Sequence, residues 1–221
     1  VQALIEAEVL IRRLEAGDVL ARLHEAAMPE LSTHDGYVRI HDPDSDLRES
    51  EAVRSSLRRA LRRLTTASGF AGLIPNVGSN LVACLPDATA VDDVAGVPGR
   101  IFDVKGQATV PGDPEFGVSE HVASVLLSAR AAGCDSGAAI NIRYDPDLLA
   151  DLRADGYDAI EFDPEAPGDP IAEALADVDT ADLTTTFVLY QTGGYGIEPI
   201  IYVVGPDPDA VATAGTRLLR G

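Results

Sequence analysis

The sequence predicts an α/β layered domain built on a mixed sheet. From Leu73 onward, short apolar runs of strand length alternate with stretches whose apolar residues recur at helical spacing, the pattern of helices packed on a sheet. Several neighbouring runs are joined by turn-sized links, which suit antiparallel strands, so the sheet is mixed rather than all-parallel. Length sets the scale. A chain of 221 residues with a 46% hydrophobic fraction holds one large domain, or a domain of about 150 residues with a smaller attachment, and that apolar content is not that of a disordered chain.

The expected division falls at residue 50. In 1–50, Leu4, Ile5, Val9, Leu10 and Leu14, then Val19, Leu20 and Leu23, keep helical spacing on either side of Gly17-Asp18, a pair suited to ending one helix and capping the next. An acidic loop follows from Ser32, with a brief strand at Tyr37 to Ile40. Its His34 and His41 have no companion ligand at a tidy spacing, so no metal site is inferred. The second part, 51–221, opens with a helix capped by Ser50. Val53, Leu57, Leu61 and Leu64 form its apolar stripe, and Arg54, Arg58, Arg59, Arg62 and Arg63 cover much of the rest. These arginines are expected to pair with the acidic body or with another subunit, because the aromatics that a single-strand binder interleaves are missing.

The remaining elements are read in order. Leu81 to Leu85 has strand composition, Asp92 to Val97 is a polar to apolar connection, and Arg100 to Val104 is the next strand, with Gly106-Gln107 as a hairpin turn. Ser119 is placed to cap a helix whose inward set is Val122, Val125, Leu126 and Ala129. Ala138 to Tyr144 is a buried strand, Asp147 to Gly156 a helix, Tyr157 to Phe162 a strand and Asp169 to Ala176 a helix. Phe187 to Tyr190 and Ile200 to Val204 are strands joined by a glycine-rich loop, and Asp209 to Leu219 is the terminal helix.

Net charge is −19, and Lys105 is the only lysine. Such a surface opposes non-specific attraction to a nucleic-acid backbone. It also resembles that of proteins adapted to molar salt, where repulsion is screened within about 3 Å. No apolar run reaches the roughly 18 residues of a membrane span and no signal pattern opens the chain, so the expectation is a cytoplasmic protein without membrane contact. Cys84 and Cys134 lack CxxC spacing and read as buried free thiols. The chain starts at Val1 rather than Met, which leaves room for a segment ahead of it.

Chemistry concentrates in Pro98 to His121, PGRIFDVKGQATVPGDPEFGVSEH. Arg100 follows a Pro-Gly turn and offers a rigid fork for phosphate or carboxylate. His121 falls in the first turn of its helix, where the positive helix end disfavours an imidazolium. With Asn80 and the strand-end pair Asn141 and Arg143, these are the polar candidates for an anionic small molecule. The Gly193-Gly194-Tyr195-Gly196 loop lies between two strands and lacks the helix start of a dinucleotide or P-loop fingerprint.

The ordered segments IPNVGSNLVACLP, DVAGVPGRI, FGVSEHVASVLLSA, AAINIRYDP and GGYGIEPIIYVVG resemble the ThiN domain from about Ala52 to Leu219. The resemblance implies a three-layer α/β/α sandwich with a mixed sheet, of the class II aldolase type. It also implies a pocket for thiamine phosphate or its phosphorylated precursors, formed by Gly78, Ser79, Asn80, Arg100, His121, Asn141, Arg143, Gly193, Gly194 and Glu198. One branch of the family is the archaeal thiamine-phosphate synthase, which joins hydroxymethylpyrimidine diphosphate to thiazole phosphate with release of diphosphate. There Arg100 and His121 take the catalytic positions and Mg2+ is expected. The other branch is the sensing module of a thiamine-gene repressor, acting without a cofactor, contacting DNA only through an upstream domain, and expected as a homodimer. Leu14 to Leu31 resembles the connector of the regulators, as does the tryptophan-free QTGGYGIEP loop. The sequence-based expectation is therefore the sensor, with the synthase as its alternative.

Overall fold

The computed structural model describes residues 46–219. The helices and strand expected within 1–45 lie outside the described residues. The chain divides into two compact units, Val1–Glu51 and Ala52–Gly221. The helix that leads into the second unit, α1 (Asp46–Thr66), begins earlier than expected. Ser50 is therefore inside the helix rather than its cap, because Leu47, Arg48 and Glu49 are all good helix formers. Leu57, Ala60, Leu61 and Leu64 are buried along one stripe. The arginine face docks on the chain's own body. Arg58 meets Asp113 at 3.2 Å, Arg59 meets Asp209 at 3.8 Å, Arg63 donates to the Thr213 hydroxyl at 2.9 Å, and the Arg54 guanidinium lies over the Phe116 ring.

Beyond a 3-10 turn at Phe70–Leu73 come β1 (Leu81–Cys84), β2 (Val94–Gly96), β3 (Phe102–Val104), β4 (Gln107–Thr109) and β5 (Glu115–Phe116). They are followed by α2 (Glu120–Ala131), β6 (Ala138–Arg143), α3 (Pro146–Ala154), β7 (Ala159–Glu161), α4 (Pro170–Leu175), β8 (Phe187–Gln191), β9 (Ile200–Gly205) and α5 (Pro208–Arg217). Seven strands form one sheet in the order β5-β2-β1-β6-β9-β8-β7, while β3 and β4 form a separate hairpin. Among the described residues only β7 and β8 pair in parallel, linked by α4, so the sheet is mixed as expected.

The alternation of each strand sorts its side chains onto two faces. Leu81 and Ala83, Ile140 and Ile142, and Ile201 and Val203 pack with α1, α3 and α5 residues such as Leu57, Leu152 and Val211. Val82, Ala139, Leu189, Tyr202 and Val204 pack with Val122, Leu126, Ile171 and Leu175 of α2 and α4. Helices thus cover both faces, which is the three-layer α/β/α sandwich.

Three local expectations change. Asp92 to Val97 is not merely a connection, since it carries β2, which pairs with β1 through Ala83 and Ala95. The run from Arg100 is a strand only from Phe102, and it does not join the seven-stranded sheet. Ile101 makes a single bridge to Ser79, and the chain then leaves the sheet as the β3-β4 hairpin, whose turn is Lys105-Gly106. Ser119 does not cap α2 through its side chain, because its own backbone is left-handed, with φ 63.

Candidate active site

The site is built on the α2 face of the sheet, in a row that crosses three strands. Asn141 of β6 stands directly opposite Tyr202 of β9. The β1-β6 register, Leu81 to Ile140, continued by one residue, brings Asn80 beside Asn141. There the Asn80 N–H donates to Asn141 Oδ1 at 2.7 Å. Asn141 Nδ2 donates to the Gly78 carbonyl at 2.9 Å. Asn80 in turn grips the backbone of Val97, accepting from its N–H and donating to its carbonyl, both at 2.8 Å. These buried amides would be costly unpaired. Their hydrogen bonds weld the Gly78 turn, β1, β6 and the Val97 segment into one floor.

Arg100 is delivered by that segment. Val97-Pro98-Gly99-Arg100 is a turn with Pro then a positive-φ Gly, the sequence order of a type II turn, and Ser79 and Ile101 exchange both backbone hydrogen bonds at 2.9 and 2.7 Å. Arg100 itself has φ 72, an uncommon conformation for a residue with a Cβ. Its guanidinium donates to the Val77 carbonyl and remains exposed at the cleft.

His121 is the second residue of α2. Its Nε2 lies 2.6 Å from the Tyr202 hydroxyl, and Tyr202 is 1% exposed. Burial, then the nearby Arg100 charge, hold the His121 imidazole below its ordinary pKa, which favours the uncharged ring. Burial pushes the Tyr202 phenol far up, which keeps its proton in place.

A cleft of about 850 Å3 connects these groups. Gly78, Asn80, Arg100, His121, Asn141 and Glu198 all line it, so six of the expected positions meet. Four do not line it. The Ser79 side chain is fully buried, and its hydroxyl has no hydrogen-bond partner among the described residues; only its backbone serves the site. Arg143 is exposed and ion-paired to Asp145 at 3.3 Å. Gly193 and Gly194 shape the loop behind the wall, where Gly194 and Ile197 exchange backbone hydrogen bonds, while Gly196 and Ile197 form the wall itself.

Glu198 is a clamp. Its carboxylate accepts from the N–H of Asn76 at 2.8 Å, from Asn76 Nδ2 at 3.0 Å and from the N–H of Val77 at 3.0 Å, tying the glycine-rich loop to the Gly78 turn. Sequence reasoning missed Tyr202, Gln191, Ser119, Val77 and Phe102, all of which line the cleft. The signal available for Tyr202 was alternation. In IIYVVG it shares parity with Ile200 and Val204, the face that carries Asn141.

The family model described as "Thiamine-phosphate synthase ThiN" matches residues 56–215. The chain is 30% identical over 177 residues to the protein named thiamine-phosphate synthase ThiN of Methanothermobacter thermautotrophicus, covering 75% of this chain and 91% of that one. It is 37% identical over 146 residues to the bifunctional thiamine biosynthesis protein ThiDN of Methanocaldococcus jannaschii, spanning 61% of this chain and 33% of that longer protein. Among solved structures, the C-terminal domain of a phosphomethylpyrimidine kinase aligns with a TM-score of 0.68 at 28% identity, over 77% of this chain and all of that domain. These relatives overturn the expectation of a repressor's sensing module, since they carry the names of biosynthetic proteins. The QTGGYGIEP loop that favoured the sensor has a structural explanation, the hairpin closure and the Glu198 clamp, which an enzyme needs equally. The match over most of the second unit, together with the relative that the chain covers almost end to end, places the chain in the ThiN family.

Proposed function

We propose that the chain is a thiamine-phosphate synthase that joins hydroxymethylpyrimidine diphosphate to thiazole phosphate and releases diphosphate. The observation that carries this reading is the meeting of Arg100 and His121 in one cleft, in a chain that covers 91% of a relative named as that enzyme. A volume of about 850 Å3 is at the upper end of the range for small-molecule sites and suits two small precursors.

In this reaction the bond from the pyrimidine methylene carbon to the diphosphate oxygen breaks, its electron pair leaving with diphosphate. The thiazole nitrogen supplies the pair for the new carbon–nitrogen bond, and no proton has to be gained or lost. Charge accumulates on the leaving group, and the Arg100 fork answers it. The first turn of α2, whose Glu120 and His121 line the cleft together with the preceding Ser119, adds the positive end of a helix. Val77, Phe102, Ile197 and Ile200 give the cleft an apolar wall that excludes water from an electron-poor carbon.

Magnesium fits the donor set in one way. Among the described residues no three His, Cys, Asp or Glu side chains converge, so the chain offers no cage. Mg2+ commonly takes one or two carboxylates and completes its shell with substrate phosphates and water. Glu198 is committed to its clamp, and Glu120, at the cleft in the first turn of α2, would be the protein ligand. The ion would supply further neutralisation of the diphosphate.

Mixing the protein with both precursors and Mg2+ in high salt should yield thiamine phosphate, detected by oxidation to a fluorescent thiochrome phosphate. Arg100→Ala should lower kcat/KM by about 10²- to 10³-fold, and His121→Ala by about 10²-fold. Absence of turnover by folded wild-type protein under these conditions rejects the reading.

A further inference from the structure

We infer that Tyr202 is a positioning residue that sets the tautomer of His121, holding the ring proton on Nδ1 so that an N–H donor faces the cleft. The synthase reading enters only in naming what that donor meets. The Tyr202 side chain is buried in the sheet floor, and its hydroxyl lies 2.6 Å from Nε2 of His121. Two assignments satisfy that distance. Either the phenol donates to an unprotonated Nε2, or an Nε2–H donates to the phenol oxygen. In the second, the phenol proton has no protein acceptor, because among the described residues His121 is the only hydrogen-bond partner of this hydroxyl. A buried donor left unpaired costs more than the bond gains. In the first assignment nothing buried is unpaired. Nε2 accepts, and the proton sits on Nδ1, which makes no hydrogen bond to protein among the described residues and belongs to a residue exposed at the cleft.

The neighbourhood makes the choice consequential. His121 and Arg100 line the same cleft, and in a neutral imidazole which nitrogen carries the proton decides what the ring can do. With Nδ1–H outward, His121 acts as a donor beside Arg100 rather than as a lone-pair base. As the carbon–oxygen bond breaks, the donor holds the departing oxygen by a hydrogen bond that strengthens as charge develops there. No proton has to change hands.

The test is the imidazole 15N spectrum of the labelled full chain at neutral pH, with the His121 signals identified by their loss in His121→Gln. Nδ1 is expected in the protonated position and Nε2 in the unprotonated one. Tyr202→Phe keeps the ring that fills the core and removes only the hydroxyl. It should shift His121 towards the Nε2–H tautomer and lower kcat about tenfold, with KM for both precursors changed less than twofold. A protonated Nε2 in the wild type, or a tautomer unmoved by Tyr202→Phe, overturns the assignment. If the variant does not fold, the wild-type spectrum decides alone. An Nδ1–H spectrum in a protein without turnover rejects the synthase reading and leaves the tautomer assignment standing; turnover with Nε2–H does the reverse.

Discussion

Arg100 bears two demands that oppose each other. Its backbone is left-handed, with φ 72, a conformation that costs a residue with a Cβ about 1–2 kcal/mol, while its side chain is the cation of the cleft. A glycine would remove the strain and the charge together. Arg100→Ala and Arg100→Gly both lose the guanidinium and its bond to Val77, so their difference isolates the backbone. Urea unfolding should find the Gly variant about 1 kcal/mol more stable than the Ala variant, with both equally inactive. Equal stability of the two would mean that the turn relaxes when the arginine is removed. At this scale the sequence was readable where a residue type is scarce. Arg100 and His121 stood out because the second part of the chain has few arginines outside α1 and only one histidine. Tyr202 did not stand out, since an aromatic in an apolar strand reads as core, and only the register that sets it opposite Asn141 gives its hydroxyl a task.

At the scale of elements, the cleft depends on two pieces of chain that carry little regular structure. The Gly78 turn and the loop from Gly193 to Glu198 come from opposite ends of the domain, and the Glu198 carboxylate joins them through three donors. Glu198→Ala leaves the N–H groups of Asn76 and Val77 to water, because both residues are exposed. The cost in stability should therefore be modest, about 1–2 kcal/mol. The cost in binding should be larger, a rise of about tenfold in KM for both precursors, because the wall must be ordered again at each encounter. Thermal unfolding and steady-state kinetics measure the two effects, and a KM unchanged in Glu198→Ala would show that the wall stands without its clamp. Gly78 belongs to the same device. Its φ is +82, and a Cβ there would sit 2.9 Å from the Phe102 ring, so the glycine is what lets the β3-β4 hairpin lean over the turn. Long elements with a clear period were legible, among them α1, α2, β6 and β9. The short strands β2 and β5 were not. Three and two residues carry too little alternation to distinguish a strand from a connection, and tertiary pairing decides them.

For the whole molecule, the excess of acidic over basic groups gives a net charge of −19 and a repulsion that the fold has to withstand. Two effects of salt compete. Screening weakens the ion pairs that dock α1, of which Arg59 with Asp209 is 3.8 Å long and more than half exposed on both sides; such pairs contribute at most about 1 kcal/mol each. Screening also weakens the long-range repulsion among all the carboxylates, as the Debye length falls from about 10 Å at 0.1 M to about 3 Å at 1 M. The docking pairs are local, whereas the repulsion acts between every carboxylate and its neighbours, so relief of repulsion should win. Tm should rise with KCl between 0.1 and 2 M, by on the order of 5–10 °C if a few kcal/mol of repulsion are relieved. NaCl should reproduce the curve, because the effect depends on ionic strength and not on which cation is present. A Tm that is flat or falling over this range would show that the arginine docking of α1, not the acidic surface, controls how the molecule responds to salt.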